Sequence, residues 1–217
     1  MSAEPDQAGH APHERTLAWK LLQIIARIVA SWLFDLKAYG VRNVPPTGGV
    51  LLVSNHQSFL DPVLLGVHLR RPLCYMARSS LFRGGFFEWL IRSLNAFPVQ
   101  QGKGDLGAIR QTIQRLEQGY LLNVYPEGSR TEDGNIGPIQ PGIALILKRV
   151  DVPIVPVVID GAFAAWPRGR RFFRPHPIRV MYGPPMDVKG LSSEQIVARV
   201  DQTLRTMLRE LRQRETA

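Results

Sequence analysis

Short, unbroken runs of apolar residues recur along this chain, and stretches with helical periodicity separate them. An apolar run without alternation indicates a strand buried on both faces, and such strands are typical of parallel sheets covered by helices. The runs that predict strands span 50–54, 73–77, 120–125, 154–159 and 178–182, with a further extended piece at 96–99. This order predicts an α/β fold with a mostly parallel sheet flanked by helices.

The segments between the runs carry the spacing and end signals of helices. Helices are predicted over 60–70, 105–118 and 142–149, and an amphipathic segment covers 81–94. The last helix is the best marked, because Ser192 and Gln195 have the spacing of a capping box and an apolar stripe follows them. The single cysteine, Cys74, lies in an apolar run and is expected to be a small buried residue.

The N-terminal part of the chain differs from the rest in its pattern of polar and apolar residues. Residues 1–15 predict a disordered tail, 16–38 an amphipathic helix, and 39–217 the remaining domain. A narrow polar stripe runs along an otherwise apolar helix and consists of Lys20, Gln23, Arg27 and Ser31. Such a helix must bury most of its circumference, either at a membrane interface or against the protein body or another subunit. We adopt the interfacial interpretation, in which the cations lie at the headgroups and the tryptophans at the boundary. No apolar stretch is long enough to span a bilayer, and no signal-peptide pattern is expected.

The charge balance favours an anionic partner. Lys and Arg outnumber Asp and Glu by 27 to 18, which gives a formal charge of +9. Nucleic acid, an acidic membrane surface and a phosphorylated or CoA-type substrate all fit such a surplus. In residues 166–174, four arginines are interleaved with aromatic residues and no acid intervenes. This segment fits lipid headgroups or CoA phosphates beside the N-terminal helix, while a nucleic-acid patch and a solvated loop stay open.

A histidine and an aspartate stand five residues apart, directly after the first apolar run. Ligand sites of open α/β sheets gather at the carboxyl ends of strands, which is where His56 falls. A turn can fold the Asp61 carboxylate back onto one ring nitrogen, which fixes the tautomer and leaves the other nitrogen to accept a hydroxyl proton. Asp61 also precedes Pro62, so a helix N-cap is the alternative explanation.

Other chemistries lack the residues that they need. A metal site needs several ligands, but His68 is twelve residues from His56, and His10 and His13 lie in the tail. No Gly-x-Ser-x-Gly elbow and no phosphate-binding Gly-x-x-x-x-Gly-Lys segment occurs. A second polar cluster, residues 127–131, follows the run at 120–125 and either presents donors and charge to an anionic ligand or forms a turn with an exposed arginine.

Together the two polar clusters resemble the glycerolipid acyltransferases typified by 1-acyl-sn-glycerol-3-phosphate acyltransferase. The motifs that carry the resemblance are Asn55-His56-x-x-x-x-Asp61, Tyr125-Pro126-Glu127-Gly128-Ser129-Arg130 and Val152-Pro153-Ile154-Val155-Pro156-Val157. They occur in the family's order, and the resemblance covers roughly residues 40–190. The family usually has Phe and Thr at the positions of Tyr125 and Ser129.

The resemblance implies an enzyme that moves a fatty acyl group from acyl-CoA or acyl-carrier protein to the free hydroxyl of 1-acyl-sn-glycerol-3-phosphate, forming phosphatidic acid. His56 would deprotonate the hydroxyl and Asp61 would orient His56, without a covalent acyl-enzyme and without a cofactor. The acceptor would be held by Glu127, Gly128, Ser129 and Arg130, and Pro156 would shape the wall of the site. The expected place of action is the cytoplasmic face of a membrane bilayer, as a monotopic protein with no nucleic-acid partner.

Two positions depart from the family pattern. Gln101 stands where Phe-Pro-Val-x-Arg-Gly has a phosphate-binding arginine, and Gln140 stands where a lysine is frequent. A neutral amide supplies no charge, and charge-assisted hydrogen bonds are roughly twice as strong as neutral ones. Lys103 is close enough in sequence to Gln101 to substitute for the missing cation. The alternative acceptor is therefore a lysolipid with a less anionic head group, and a remote alternative is an inactive lipid- or nucleic-acid-binding protein.

Overall fold

The computed structural model describes residues 17–78, 82–85, 88, 96–99 and 106–216. The strands are β1 (Lys37–Tyr39), β2 (Val50–Ser54), β3 (Leu73–Arg78), β4 (Ala96–Val99), β5 (Leu121–Val124), β6 (Ile154–Asp160) and β7 (Arg179–Tyr182). The helices are α1 (Leu17–Phe34), α2 (Asp61–Gly66), α3 (Leu106–Glu117), α4 (Gly142–Leu147), α5 (Ala162–Ala165) and α6 (Ser193–Thr216). Each strand predicted from an apolar run is present, so the predicted alternation of strands and helices is confirmed.

These strands form one sheet in the order β1-β7-β6-β2-β5-β3-β4. From β6 to β4 all neighbours are parallel, while β7 is antiparallel to β6 and β1 is parallel to β7. The central strand is β2, in which Val53 lies opposite Val124 of β5 and Pro156 of β6. Because β2 and β5 are adjacent and parallel, the loops that follow them lie side by side at one edge of the sheet.

The residues of β2 alternate between two apolar layers. Leu51 and Val53 pack on the side of α3, α4 and α6. Val50 and Leu52 pack on the side of α1, α2 and α5. All four side chains are fully buried, and each such burial contributes about 1.5–3 kcal/mol relative to exposure. Helices on both faces explain why this run contains no polar alternation, and they confirm the α/β architecture.

The C-terminal helix begins as its sequence predicts. The Ser192 hydroxyl accepts the backbone N–H of Gln195 at 3.2 Å, and the Gln195 side-chain oxygen accepts the backbone N–H of Ser192 at 2.8 Å. This reciprocal pair is the capping box. The apolar stripe that follows is buried, with Ile196, Val200 and Leu204 fully covered by the sheet and α4.

Helix α1 is shorter than predicted and has an exposed apolar face. It ends at Phe34, and Lys37–Tyr39 forms strand β1, which pairs with β7. The predicted boundary between helix and domain, at residue 38, therefore falls inside a strand of the sheet. Gln23 of the polar stripe turns toward the protein and donates to the carbonyl oxygens of Gly66 and Leu69 at 3.0 and 2.8 Å. The large side chains left exposed are Leu17, Leu21, Leu22, Ile24, Ile25, Ile28, Val29 and Trp32. No helix in the described ranges has the length and mean hydropathy required to cross a membrane.

Several element boundaries differ from the sequence-based expectation. Helix α2 covers only Asp61–Gly66, and α4 ends at Leu147, so both are shorter than predicted. Most of the amphipathic segment at 81–94 and the residue Asp105 lie outside the described residues. Cys74 is 2% exposed and belongs to the core, as predicted.

Candidate active site

The residues after β2 fold into a tight turn, the His56 turn (residues 55–61). His56 Nδ1 lies 2.7 Å from Asp61 Oδ2. The same oxygen accepts the backbone N–H groups of Gln57 at 2.6 Å and Ser58 at 2.8 Å. Asp61 is fully buried, whereas the His56 side chain keeps 19% of its surface exposed. A carboxylate only accepts hydrogen bonds, so Nδ1 carries the proton and Nε2 is left to act as an acceptor.

Asp61 does not cap helix α2. The helix begins at Asp61 itself, its N-cap residue is Leu60, and no side-chain cap hydrogen bond forms there. The backbone N–H groups that Asp61 accepts belong to the preceding turn instead. The helix-cap explanation is therefore wrong, although Pro62 does occupy the first helical turn as predicted. The carboxylate organises the turn and the imidazole together.

The ring of His56 is stacked on the ring of Tyr125, the first residue after β5. The ring centroids are 3.8 Å apart and the planes differ by 13°. A contact of this kind contributes about 0.5–1.5 kcal/mol and restricts the ring orientation. The Tyr125 hydroxyl is buried and has no hydrogen-bond partner among the described residues, and burial raises its pKa well above the ordinary value. The one signal for this contact in the sequence is the aromatic residue at the start of the second motif.

Glu127 joins the His56 turn to the segment around Gly137. Its Oε1 accepts the backbone N–H of His56 at 2.8 Å, and its Oε2 accepts that of Gly137 at 2.7 Å. Glu127 is 6% exposed. This burial raises its pKa, and the two backbone N–H groups offset only part of the rise. Because backbone donors occupy both oxygens, Glu127 positions the site, and a direct contact with an acceptor stays a prediction.

Two further side chains hold the His56 turn, and the sequence analysis assigned them no role. Asn55 exchanges two hydrogen bonds with the backbone of Ile159 in β6, at 2.8 and 2.9 Å. Gln57 donates to the carbonyl oxygen of Gly134 at 2.8 Å and accepts the backbone N–H of Phe163 at 3.2 Å. Both side chains are almost fully buried. Asn55 belongs to the first motif, but nothing in the sequence identifies partners that lie 77 to 106 residues away.

The segment after β5, the Arg130 loop (residues 125–131), lies against the His56 turn. The backbone N–H of Thr131 donates to the carbonyl oxygen of His56 at 2.8 Å. The guanidinium carbon of Arg130 lies 3.5 Å from the ring centroid of Phe59, which belongs to the His56 turn. This is a cation–π contact between the two segments. The predicted cation therefore stands beside the predicted base.

The tip of the Arg130 loop is open to solvent. Gly128 and Ser129 are exposed, and Arg130 is partly buried. Gly128 has φ of 72°, a backbone conformation that favours glycine, and a Cβ at this position would lie 3.4 Å from Gln140 Cγ. Gln140 thus lies directly beside the loop, and its backbone N–H donates to the Pro126 carbonyl oxygen at 2.8 Å. One of the two departures from the family pattern therefore borders the Arg130 loop.

Three predicted site residues remain, and the structure describes only one of them, Pro156. Pro156 lies opposite Val53 inside the sheet, rather than at its carboxyl edge. Its carbonyl oxygen accepts the backbone N–H of Gly183 at 2.8 Å, so it connects β6 to the segment after β7. A contact between Pro156 and a substrate stays a prediction. Gln101 and Lys103 lie outside the described residues.

The arrangement has the parts of a general base for a hydroxyl group. A partly exposed imidazole has a buried carboxylate on Nδ1 and an aromatic ring on its face. The cation of Arg130 on the neighbouring loop suits an anionic ligand. Over the part of the chain that the structure describes, no group of three or more His, Cys, Asp and Glu side chains could hold a metal ion.

The chain matches a known family model and several characterised relatives. The acyltransferase family model matches residues 35–160. The chain is 25% identical over 189 residues to the 1-acyl-sn-glycerol-3-phosphate acyltransferase of Bacillus subtilis, a match that covers 85% of this chain and 92% of that protein. It is 28% identical over 207 residues to 1-acyl-sn-glycerol-3-phosphate acyltransferase alpha of Mus musculus, covering 91% of this chain and 71% of that protein.

A solved structure gives the same result for the fold. The crystal structure of the 1-acyl-sn-glycerophosphate acyltransferase PlsC from Thermotoga maritima matches with a TM-score of 0.75 and 28% sequence identity, over 88% of this chain and 79% of that chain. The residues matched by the family model include the His56 turn and the Arg130 loop. The resemblance drawn from the three motifs is thereby confirmed.

Proposed function

The chain belongs to the acyltransferase family and is an O-acyltransferase, and we propose that it converts 1-acyl-sn-glycerol-3-phosphate into phosphatidic acid in phospholipid biosynthesis. The relatives from Bacillus subtilis and Mus musculus carry the name of this activity. The observation that carries the proposal is the His56–Asp61 pair at 2.7 Å, with Asp61 buried and His56 partly open. The acyl donor is a thioester of coenzyme A or of acyl-carrier protein, and no further cofactor is required.

The reaction follows from the protonation states of this pair. His56 Nε2 takes the proton of the acceptor hydroxyl as the oxygen attacks the carbonyl carbon of the thioester. Asp61 stabilises the imidazolium that forms, because its carboxylate accepts a hydrogen bond from the Nδ1–H group and stays negatively charged. The tetrahedral intermediate then collapses, the carbon–sulfur bond breaks, and the leaving sulfur takes the proton back from His56. The products are the ester and the free thiol, and His56 returns to its neutral form.

Recognition of the acceptor falls to the Arg130 loop. Arg130 is the cation beside His56, and a guanidinium forms paired hydrogen bonds with a phosphate. The exposed Gly128 and Ser129 leave backbone and hydroxyl donors on the same loop. Lys103 is the candidate for a second cation, in place of the arginine that Gln101 replaces. Glu127 contributes by holding the loop against the His56 backbone.

A lysolipid and its diacyl product reside in bilayers, so the enzyme must reach a membrane surface. Helix α1 offers an apolar face on which Trp32 is 84% and Ile28 63% exposed. Leaving such a face in water costs about 25 cal/mol for each Å². An interfacial helix with tryptophan at the boundary removes this cost by lying in the headgroup region. This face supports a monotopic enzyme on a membrane surface, and we propose the cytoplasmic face as its place of action.

The direct test is thiol release from acyl-CoA or acyl-carrier protein in the presence of lysophosphatidic acid, together with detection of phosphatidic acid. His56→Ala is expected to lower the rate by roughly 10²- to 10⁴-fold, the usual contribution of a general base. His68→Ala is the matched control, because His68 lies beyond α2 and outside the site. Equal thiol release by wild type and His56→Ala would overturn the assignment of the base.

A second candidate acceptor is a lysolipid with a less anionic head group. It rests on the neutral residues Gln101 and Gln140 at positions where the family usually carries charge. The same assay with lysophosphatidylcholine and an amino-acid lysolipid in place of lysophosphatidic acid decides between them. A higher kcat/KM for lysophosphatidic acid supports phosphatidic acid as the product, and a higher value for either of the others supports the second candidate.

A further inference from the structure

A loop rich in arginine and phenylalanine stands out on the surface near the site. This Arg–Phe loop (residues 166–174) follows α5 and leads toward β7. Phe172 is 70% exposed and Phe173 is 45% exposed. The exposed cations on the same loop are Arg168, Arg170, Arg171 and Arg174. The catalytic chemistry derived above uses none of these side chains.

The Arg–Phe loop is held in place by hydrogen bonds at its base. The backbone N–H of Arg174 donates to the Ala165 carbonyl oxygen at 2.9 Å, and its Nε donates to the Ala164 carbonyl oxygen at 2.7 Å. The Trp166 indole N–H donates to the Arg170 carbonyl oxygen at 2.9 Å. These bonds close the loop on itself, so the exposed phenyl and guanidinium groups project from a fixed base.

The loop packs against the C-terminal end of α1. Phe173 meets Phe34, the last residue of α1, with ring centroids 5.8 Å apart. It also meets Trp166 at 6.1 Å. Phe34 is buried, so this contact fixes the loop against the C-terminal end of α1, although the two segments are far apart in the sequence. The Arg–Phe loop therefore lies at one end of the helix that is proposed to lie in the membrane interface.

The loop also adjoins the catalytic site. The rings of Trp166 and Phe59 are 5.8 Å apart, and Phe59 lies under the Arg130 guanidinium. The Ser58 hydroxyl donates to the Trp166 carbonyl oxygen at 2.9 Å. A partner on the Arg–Phe loop would therefore sit beside the His56 turn, where the acceptor hydroxyl must arrive.

The charge around the loop favours an anionic partner. No acidic residue occurs between positions 166 and 174. The acid at the end of α1 is Asp35, and it is already compensated by Arg179 at 2.8 Å and by Lys37 at 3.7 Å. Exposed phenyl rings among cations match the boundary of an anionic bilayer, in which rings enter the headgroup region and arginines meet phosphates. A soluble acidic protein would match the cations but would not account for the largely exposed Phe172.

We propose that the Arg–Phe loop is a second bilayer contact, specific for anionic lipid, which together with α1 sets the catalytic site against the membrane surface. In this arrangement Phe172 enters the headgroup region and Arg170 and Arg171 bind lipid phosphates. The inference rests on the membrane association proposed above and goes beyond it by assigning a separate surface and a lipid charge preference.

The test compares two triple variants with the wild-type chain. The loop variant combines Arg170→Gln, Arg171→Gln and Phe172→Ala. The control variant combines Leu145→Ala, Lys148→Gln and Arg149→Gln. It removes the same charge and one exposed apolar side chain from the opposite face of the sheet, where Leu145 is 40% exposed. Binding is measured by sedimentation with phosphatidylcholine vesicles that contain or lack phosphatidylglycerol.

We expect the loop variant to lose on the order of 10- to 100-fold in partitioning onto vesicles with phosphatidylglycerol, since each arginine near an anionic surface contributes roughly fivefold. The control variant should bind as wild type does. Arg170→Gln with Arg171→Gln alone should weaken binding only where phosphatidylglycerol is present, whereas Phe172→Ala should weaken binding to both kinds of vesicle. Transfer to lysophosphatidic acid embedded in vesicles should fall with binding, and transfer in detergent micelles should stay within about twofold, because no reacting group is changed.

Wild-type partitioning by the loop variant, or an equal loss in the control variant, would refute the second contact. A raised KM for acyl-carrier protein without any change in vesicle binding would also refute it and would identify the loop as a protein-docking surface. If the wild-type chain transfers no acyl group in micelles, the proposed function fails, while the vesicle-binding result still decides the role of the Arg–Phe loop.

Discussion

The His56 turn and the Arg130 loop follow neighbouring parallel strands, yet they are built differently. In the His56 turn, Asn55, Gln57 and Asp61 are almost fully buried, and each hydrogen bonds to backbone groups. In the Arg130 loop, Gly128 and Ser129 are exposed, and the loop is tied down mainly at its ends. The first segment has one geometry enforced by many bonds, whereas the second keeps an open tip.

This contrast corresponds to two different chemical tasks. Proton transfer requires His56 and Asp61 within hydrogen-bond distance at all times, and a buried network meets that requirement. Recognition of a head group depends on which side chains the open tip presents. The sequence agrees with the family in the first segment and departs from it beside the second, at Ser129 and Gln140. The reaction is therefore better determined than the acceptor, and five predictions test this division.

Asp61→Asn removes the charged partner of His56 in the His56 turn. The amide keeps one acceptor oxygen for the turn but no longer stabilises an imidazolium, so we expect kcat to fall by about 10⁴-fold with KM little changed. Steady-state kinetics on lysophosphatidic acid measure this effect, and denaturant unfolding confirms that the variant is folded. A loss of less than about tenfold would mean that Asp61 only shapes the turn.

Arg130→Gln weakens the open segment without touching the base. We expect KM for lysophosphatidic acid to rise by roughly 10- to 100-fold at nearly constant kcat, because a charge-assisted contact contributes about 1.5–3 kcal/mol. Arg130→Lys keeps the charge and loses the paired geometry, so its KM for lysophosphatidic acid should lie between those of wild type and Arg130→Gln. An unchanged KM, or an equal rise in KM for a zwitterionic lysolipid, would mean that Arg130 does not bind the phosphate.

Glu127→Ala separates the two segments, because it removes the acceptors of the His56 and Gly137 N–H groups. We expect the free energy of unfolding to fall by about 1–3 kcal/mol, the usual cost of leaving a buried donor unsatisfied. Thermal or denaturant unfolding measures this change. A neutral result would show that the other contacts between the segments suffice.

The ionisation of Glu127 adds a pH dependence with a defined sign. Burial raises its pKa above the ordinary glutamate value of 4.5. At pH values between the pKa of the unfolded chain and the raised pKa of the folded chain, the folded chain binds more protons than the unfolded chain. The free energy of unfolding therefore falls as pH rises through that window. Glu127→Gln should lack this step, and denaturant unfolding at a series of pH values from acidic to neutral compares the two chains. A step of the same size in the variant would assign the effect to another group.

Tyr125→Phe should have the smallest effect. It keeps the stacked ring on His56 and removes a buried hydroxyl that has no hydrogen-bond partner among the described residues. We expect activity within about twofold of wild type and an increase of up to about 1 kcal/mol in the free energy of unfolding. Tyr125→Leu removes the stack, and its activity should fall by about two- to tenfold. If Tyr125→Phe loses as much activity as Tyr125→Leu, the hydroxyl takes part in the site.

Much of the site was predictable because its signals are local. The apolar run before His56 predicts a buried strand, and the spacing to Asp61 fits a turn at the end of that strand. The role of Glu127 was not predictable, because its partners are backbone N–H groups, which every residue carries. The helix-cap alternative for Asp61 failed for a related reason, since the same carboxylate can accept from either of two neighbouring turns.

The sequence by itself determined most of the elements, since periodicity, capping residues and apolar runs depend on neighbours in the chain. It predicted the start and the apolar stripe of α6, and α1 as an apolar helix with a polar stripe, but it assigned β1 to that first helix. Only the tertiary structure decided which face of each helix is covered: α6 buries its large apolar residues, whereas α1 packs through Gln23, Ala30 and Phe34 and leaves its large residues outward. The physical reason is that burial depends on which distant surfaces meet, and local spacing does not contain that information. The same reason explains why Phe173 meets Phe34, and why the proposed membrane surface could not be assembled from the sequence alone.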